Sequence, residues 1–243
     1  MVRHKPQRPP DAYPGGEDTV LNNREEAGRL LAERLMAYRG TPEGIILALP
    51  RGGVAVGYAL SLSLRLPLDV FITRKLGAPG NPEYAIGAVT ETGSVFLNPA
   101  AQQVTAALGA SAGYLAEAVE AEQQEIARRQ AMYRQGHPLP DLTQRTVILV
   151  DDGIATGATF LASVDALRTS GVQHLVAAIP VGPFDTLRMV RNKVDSLCTL
   201  MTPEPFYAVG NHYADFTQVE DEQVLRYLVD AAVALRAGKG LHS

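Results

Sequence analysis

Two adjacent carboxylates, Asp151 and Asp152, directly follow the apolar run 147–150, and a turn of mostly small residues at 153–157 comes next. A helical pattern begins just beyond that turn. The N-terminus of a helix presents unpaired backbone N–H groups and partial positive charge, and small residues let a phosphate approach them. Carboxylates repel phosphate but suit sugar hydroxyls or a divalent cation beside it. The segment therefore predicts a site for a phosphorylated sugar; the alternative is an ordinary strand, turn and helix in which the acids are caps.

The turn predicts specific contacts for the phosphate. Backbone N–H groups and the Thr156 and Thr159 hydroxyls would bind it, and we expect contacts from Gly153, Ala155, Thr156, Gly157, Ala158 and Thr159. Two neighbouring buried carboxylates would cost on the order of several kcal/mol if unpaired. We therefore expect Asp151 and Asp152 to be compensated only when a ligand is present.

Short apolar runs alternate with helical patterns along the chain. This alternation predicts βαβ units and an α/β fold with a doubly wound, mainly parallel sheet. Ligands of such sheets bind outside the carboxyl ends of the strands, which singles out the loops after Pro50, after Arg74–Lys75 and after Val150. Predicted strands are 45–50, 68–73, 146–150, 175–179 and 196–201; predicted helices are 22–39, 54–64, 99–135, 158–170, 185–193 and 219–236.

The stretch 76–84 interrupts this alternation. Two glycines and two prolines fall within six residues, which predicts irregular structure. Segments 86–90 and 94–97 would then pair as a hairpin across 91–93.

The segment VILVDDGIATGAT at 147–159 resembles the phosphoribosyl pyrophosphate (PRPP) signature of the type I phosphoribosyltransferases. Residues 49–53 lie where that family has its pyrophosphate loop, and Arg74–Lys75 lie where it has its mobile catalytic loop. The match in order and spacing covers roughly residues 45–200. The run RKLGAPGNPE and the segment FYAVG are also similar to a bacterial subgroup of phosphoribosyltransferases whose substrate is unassigned.

The resemblance implies transfer of ribose 5-phosphate from PRPP to a nitrogen acceptor, most simply a nucleobase, with release of pyrophosphate. It implies Mg²⁺, held mainly by PRPP and through water by Asp151 and Asp152. Lys75, Arg74 and the two acids would be catalytic, and 76–84 would be a lid over the reaction.

The resemblance also implies which residues bind the pyrophosphate. Gly52 and Gly53 leave room for backbone N–H groups to meet a diphosphate, and Arg51, Arg74 and Lys75 would add positive charge. Two alternatives stay open: Arg51 in a surface salt bridge, and Lys75 as a solvated surface lysine.

The acceptor is not fixed by the sequence. Purine-type members usually carry an acid where this chain has Ala155, while Ala155-Thr156-Gly157 looks more like the uracil-using branch, whose C-terminal uracil-contacting segment is not found here. A flat base could stack on exposed side chains, although packing of the same side chains is the alternative. The candidates are Ile154, Phe184, Phe206 and Tyr207, with Tyr213 and Phe216 as further aromatics.

Composition narrows the classes of partner. The net charge of -4 argues against a dedicated nucleic-acid binder, and a single cysteine, Cys198, excludes an internal disulfide. No apolar run approaches the roughly 18 residues that span a membrane, so we expect a cytoplasmic protein without membrane contact. We expect a disordered arm at 1–18 and one domain at 19–243, with its core at about 45–200, hood elements within 76–145 and 202–243, and a homo-oligomer, most simply a dimer.

Two other functions compete with the enzyme. A regulatory module could sense PRPP or a nucleotide with little or no catalysis, but the retained Arg74–Lys75 and the lid favour the enzyme. A diphosphokinase resembling PRPP synthetase is disfavoured because no ATP-binding feature is evident.

Overall fold

The structure, a computed structural model, describes residues 20–97 and 112–239. The predicted arm at 1–18 and the first part of the predicted helix 99–135 lie outside those residues. In chain order the elements are α1 (Arg24–Arg34), β1 (Gly44–Ala48), α2 (Gly52–Leu64), β2 (Leu68–Val70), β3 (Thr73–Ala78), β4 (Asn81–Thr90), β5 (Val95–Leu97), α3 (Ala112–Arg134), β6 (Thr146–Val150), α4 (Ala158–Thr169), β7 (His174–Val181), α5 (Phe184–Arg191), β8 (Ser196–Met201) and α6 (Asp221–Lys239), with 3₁₀ turns at Met36–Tyr38 and Val209–His212.

Five parallel strands form the central sheet in the order β2-β1-β6-β7-β8. Alternate side chains of β6 enter two separate apolar clusters, Ile148 and Val150 on one face and Val147 and Leu149 on the other. Helices α1, α2 and α6 cover the first face, and α4 and α5 cover the second. The prediction of a doubly wound, mainly parallel α/β sheet is confirmed, because both faces of the strands are buried.

A second sheet of three antiparallel strands, β3-β4-β5, is the small hood. The prediction of irregular structure at 76–84 is wrong: β3 and β4 form a hairpin that pairs Thr73 with Thr90 and Ala78 with Asn81. The glycines and prolines serve the turn and the register shifts around Gly77, while Leu76 and Ala78 are buried. The predicted pairing of 86–90 with 94–97 is confirmed in β4 and β5.

Helix α3 is attached to both sheets by one buried guanidinium. Arg134 donates to Asp69 of β2 at 3.0 Å and to the Glu91 carboxylate, which directly follows β4. Glu91 also accepts the backbone N–H of Ile72 at 2.8 Å. These contacts fix the position of the hood over the central sheet. Among the helices of 20–97 and 112–239, none is long and apolar enough to cross a membrane.

Candidate functional site

Two loops at the carboxyl edge of the central sheet meet in van der Waals contact. A Cβ atom on Gly52 would lie 1.9 Å from Asp152 Oδ2, and one on Gly53 would lie 3.0 Å from Asp151 Cα. Both glycines belong to the first turn of α2, two residues earlier than the predicted start of that helix. Larger side chains there would push the acid pair away, so glycine is required for the two loops to converge.

Asp152 already has a cationic partner in the protein. Arg24 Nε lies 2.7 Å from Asp152 Oδ2, and both side chains are largely buried. Tyr213 donates its hydroxyl to the backbone oxygen of Asp152 at 2.6 Å. The expectation that each acid is compensated only by ligand is therefore wrong for Asp152, because an arginine distant in sequence neutralises it.

Asp151 lies in a different environment. Its Oδ1 accepts the backbone N–H of Asp152 at 2.9 Å. Burial, together with the neighbouring Asp152 carboxylate, raises the pKa of Asp151 well above its usual range. Burial also raises the pKa of Asp152, but Arg24 opposes that shift. Ionisation of Asp151 therefore costs more free energy than ionisation of Asp152.

The turn after the acids has an open backbone. Ala155 and Thr156 are exposed, and Gly157 begins α4 in the left-handed region with φ +72. The N-cap residue, Gly157, supplies no side-chain hydrogen bond to this helix N-terminus. Thr186 donates its hydroxyl to the Ala155 carbonyl at 2.8 Å, which fixes the turn from α5. The geometry suits an anion at the start of α4.

Ile154 does not face this opening. Its side chain is 3% exposed and packs in the apolar cluster of α4 and α5. Its backbone N–H donates to the Val181 carbonyl at 2.9 Å, which holds the residue against β7. The turn therefore directs the Ile154 side chain into the core, and the contact of Ile154 with a base stays a prediction.

The three cationic residues predicted to bind pyrophosphate already have neighbours within the protein. Arg51 Nη1 lies 3.2 Å from Glu220 Oε2, the surface salt bridge that the sequence left open as an alternative, and the Pro50–Arg51 peptide is cis. Arg74 Nε lies 2.7 Å from Glu122 Oε2 of α3. Lys75 lies inside β3, paired with Ala88, and not at the edge of an irregular loop.

The candidate aromatic residues divide into two groups. Tyr207 and Phe184 are exposed, at 78% and 54%. Phe206 is half-buried and stacks on His212 with ring centroids 5.5 Å apart. Tyr213 and Phe216 pack against each other at 5.1 Å, so the packing alternative holds for these two.

Sequence reasoning missed Arg24. The residue occupies the first position of α1, immediately after the cap Asn23. A cation there faces the positive end of the helix dipole and is locally unfavourable, but no sequence pattern indicates its partner.

Comparison with known proteins gives consistent results. The family model described as phosphoribosyl transferase domain matches residues 17–201. Two curated relatives from Mycobacterium tuberculosis, "Putative phosphoribosyl transferase Rv0571c" of strain H37Rv and "Putative phosphoribosyl transferase MT0597" of strain CDC 1551, are each 41% identical over 210 residues. The match covers 86% of this chain and 46% of each relative, so the chain spans about half their length. The crystal structure of TT1426 from Thermus thermophilus has a TM-score of 0.72 and 36% identity, and the match covers 87% of this chain and 99% of that one.

Proposed function

The chain belongs to the phosphoribosyltransferase family, and from that premise we propose that it transfers ribose 5-phosphate from PRPP to a nitrogen acceptor, most simply a nucleobase, and releases pyrophosphate. The observation that carries this proposal is the contact between Gly52 and Gly53 and the acid pair, beside the open turn at 153–157. A ligand with a phosphate at one end, a diol in the middle and a diphosphate at the other end fits that arrangement.

The turn at 153–157 would bind the 5-phosphate. Its exposed residues Ala155 and Thr156, together with the first backbone N–H groups of α4, offer donors and partial positive charge. Asp151 and Asp152 lie at the base of the turn, where a ribose attached to that phosphate would present its hydroxyls. A carboxylate accepts hydrogen bonds from hydroxyls, so the acids would fix the ribose ring relative to the phosphate.

The loop at 50–53 would bind the pyrophosphate. The side chain of the N-cap residue Arg51 does not cap the start of α2, so the first backbone N–H groups of that helix are candidates to meet the diphosphate. Arg51 can exchange its half-exposed partner Glu220 for the same group. Arg74 and Lys75 of β3 would add charge from the hood. Arg74 would have to leave Glu122 to do so, so its side chain would move when the diphosphate binds.

Mg²⁺ fits the donors at this edge. No group of three or more His, Cys, Asp or Glu side chains among the described residues could hold a metal ion, so Mg²⁺ here would take its ligands mainly from PRPP and water. Asp151 and Asp152 would hold it through water. When bound it would offset negative charge on the pyrophosphate oxygens.

The chemistry required of the chain is then positioning and charge stabilisation. A bond forms between the acceptor nitrogen and C1 of the ribose while the bond from C1 to pyrophosphate breaks and its electron pair leaves with pyrophosphate. The proton on the acceptor nitrogen passes to solvent. Arg51, Lys75 and the backbone of 52–53 would stabilise the leaving group, and the hood would exclude water from C1.

Two exposed aromatic residues support a flat acceptor. Tyr207 and Phe184 present exposed rings, and Phe206, next to Tyr207 in the sequence, is half-buried. Stacking on such rings needs no particular pattern of donors and acceptors, so the rings favour the class of nucleobases without selecting one.

A screen tests the proposal. The chain is mixed with PRPP, Mg²⁺ and single nucleobases of the purine and pyrimidine classes, and pyrophosphate release is followed. We expect release that depends on one class of base and is lost in the double variant Asp151→Asn with Asp152→Asn. Tight PRPP binding without acceptor-dependent release would instead assign the chain to the sensing modules.

A further inference from the structure

We propose that Arg24 is the positioning residue of the acid pair: it holds Asp152 from the side of α1, so that the ribose site is already formed before the substrate binds. The inference rests on the function proposed above, since it assigns Asp152 to the ribose end of PRPP. It adds a residue from outside the segments that sequence reasoning assigned to the site.

Three separate groups fix the Arg24 guanidinium. Its Nε lies 2.7 Å from Asp152 Oδ2, and its Nη1 donates to the Thr217 carbonyl at 2.8 Å. The ring of Phe216 lies beneath the plane, with Arg24 Cζ 3.8 Å from the ring centroid. Because arginine has a planar fork, it can satisfy all three groups at once, whereas a lysine ammonium could not.

The location of Arg24 supports a specific role in contacting Asp152. The residue is 9% exposed and stands at the first position of α1, where a cation opposes the helix dipole. Helix α1 gains nothing locally from a charge there, since Asn23 already caps it through a bond to the Glu26 N–H at 2.9 Å. The charge is explained by Asp152, which is 128 residues away in the sequence.

Close contacts confine Asp152 in addition to the ion pair. A Cβ atom on Gly52 would lie 1.9 Å from Asp152 Oδ2 and 3.0 Å from Arg24 Nε. On the other side, the Tyr213 hydroxyl holds the Asp152 carbonyl at 2.6 Å. Loss of Arg24 would therefore release the Asp152 side chain, which in the proposed complex faces the ribose hydroxyls.

A matched set of variants separates this role from general stability. Arg24→Gln removes the charge, Arg24→Lys retains the charge without the fork, and Arg29→Gln removes an exposed arginine of the same helix. Calorimetry measures the dissociation constants for ribose 5-phosphate and for pyrophosphate, and thermal unfolding is recorded for each protein. Wild type must bind both probes, and failure of wild type to bind them would overturn the proposed function itself.

We expect Arg24→Gln to weaken ribose 5-phosphate binding by about tenfold or more, and pyrophosphate binding by clearly less. Arg24→Lys should lie between that variant and wild type, and Arg29→Gln should match wild type. In the background of Asp152→Asn, the further change Arg24→Gln should alter ribose 5-phosphate binding by less than about threefold, because Arg24 acts through Asp152.

Two results would overturn the inference while leaving the proposed function intact. One is wild-type binding of ribose 5-phosphate by Arg24→Gln. The other is an equal loss of both probes together with a lower unfolding midpoint, which would give Arg24 a structural role only. If Arg24→Gln does not fold, Phe216→Leu removes the ring beneath the guanidinium, which also packs against Tyr213. This variant should weaken ribose 5-phosphate binding more than pyrophosphate binding, and affinities equal to those of wild type would refute the positioning role.

Discussion

Arg51 Nη1 and Glu220 Oε2 lie 3.2 Å apart, so a cation of the proposed pyrophosphate loop is paired with a carboxylate that directly precedes α6. Both side chains are partly exposed, at 30% and 54%. Such a pair contributes little to stability, but it must separate before Arg51 can contact a diphosphate. In the proposed complex, Glu220 would therefore compete with the diphosphate for Arg51.

This competition predicts that Glu220→Gln binds pyrophosphate more tightly than wild type. The gain should be about two- to fivefold, the size of an exposed ion pair, and should shrink at high salt. Calorimetry with pyrophosphate measures it. Glu222→Gln, a neighbouring exposed acid on α6, is the control and should leave the affinity unchanged. Weaker binding in Glu220→Gln would mean that Glu220 orients Arg51 rather than competing for it.

The two acids should respond oppositely to neutralisation. Burial raises the pKa of Asp151 above its unfolded value, so its protonated form favours the fold, and this stability is lost as pH rises through the folded pKa. We expect Asp151→Asn to raise the unfolding midpoint near neutral pH and to lose that advantage at about pH 4. Asp152→Asn should lower the midpoint, because it strands the buried Arg24 charge.

Thermal unfolding at both pH values, without ligand, checks this contrast. The prediction fails if Asp151→Asn is less stable than wild type near neutral pH, or if Asp152→Asn is the more stable of the two. Either result would mean that neither the burial of Asp151 nor the contact of Asp152 with Arg24 determines how these acids affect stability.

A methyl group at Gly52 should damage the site directly. Gly52→Ala places a Cβ atom within 1.9 Å of Asp152 Oδ2, so the carboxylate and Arg24 must both move. We expect PRPP affinity to fall by about tenfold or more, with a loss of stability of about 1–3 kcal/mol. Gly238→Ala is the control: apart from the adjoining backbone of α6, a Cβ atom there would meet no atom of the described residues within 4 Å, and alanine should be neutral or slightly stabilising. Unchanged PRPP binding by Gly52→Ala would contradict the proposed convergence of the two loops on one ligand.

Lys75 should act on turnover more than on binding. If its ammonium stabilises charge on the departing pyrophosphate, Lys75→Ala should lower kcat by about a hundredfold while the PRPP dissociation constant changes by only a few-fold. Steady-state rates and calorimetry give the two quantities. Lys193→Ala is the control. Lys193 directly follows α5 in the chain and forms an ion pair with Asp165 of α4, and its loss should change neither kcat nor the PRPP dissociation constant. An equal fall in affinity and kcat/KM would reduce Lys75 to a binding residue.

The strands of the central sheet were predictable because strands that are buried on both faces occur in the sequence as short, continuous apolar runs. The runs at 146–150 and 196–201 were assigned at the residues where β6 and β8 occur. Their order along the chain then placed the acid pair and the glycines of α2 at one edge of the sheet, through the rule that ligands bind at the carboxyl ends.

The hairpin and the ion pair were not predictable for different reasons. Glycine and proline residues like those at 77–82 occur both in irregular loops and in tight hairpin turns. Only the pairing of β3 with β4 shows that this segment is a hairpin. The contact of Arg24 with Asp152 joins residues 128 positions apart, so no periodicity or motif contains it. The burial of the Ile154 side chain was not predictable either, because the direction of a side chain within a turn depends on the backbone of that turn.

The stoichiometry of the reaction tests the central claim most directly. Wild-type chain, PRPP, Mg²⁺ and the base found by the screen are incubated, and chromatography with mass detection quantifies every product over time. The account predicts equal molar amounts of pyrophosphate and of the base 5′-monophosphate for the PRPP consumed, with neither formed by the Asp151→Asn, Asp152→Asn double variant. PRPP that stays intact with every base, or that decays to ribose 5-phosphate at the same rate with and without a base, would contradict it.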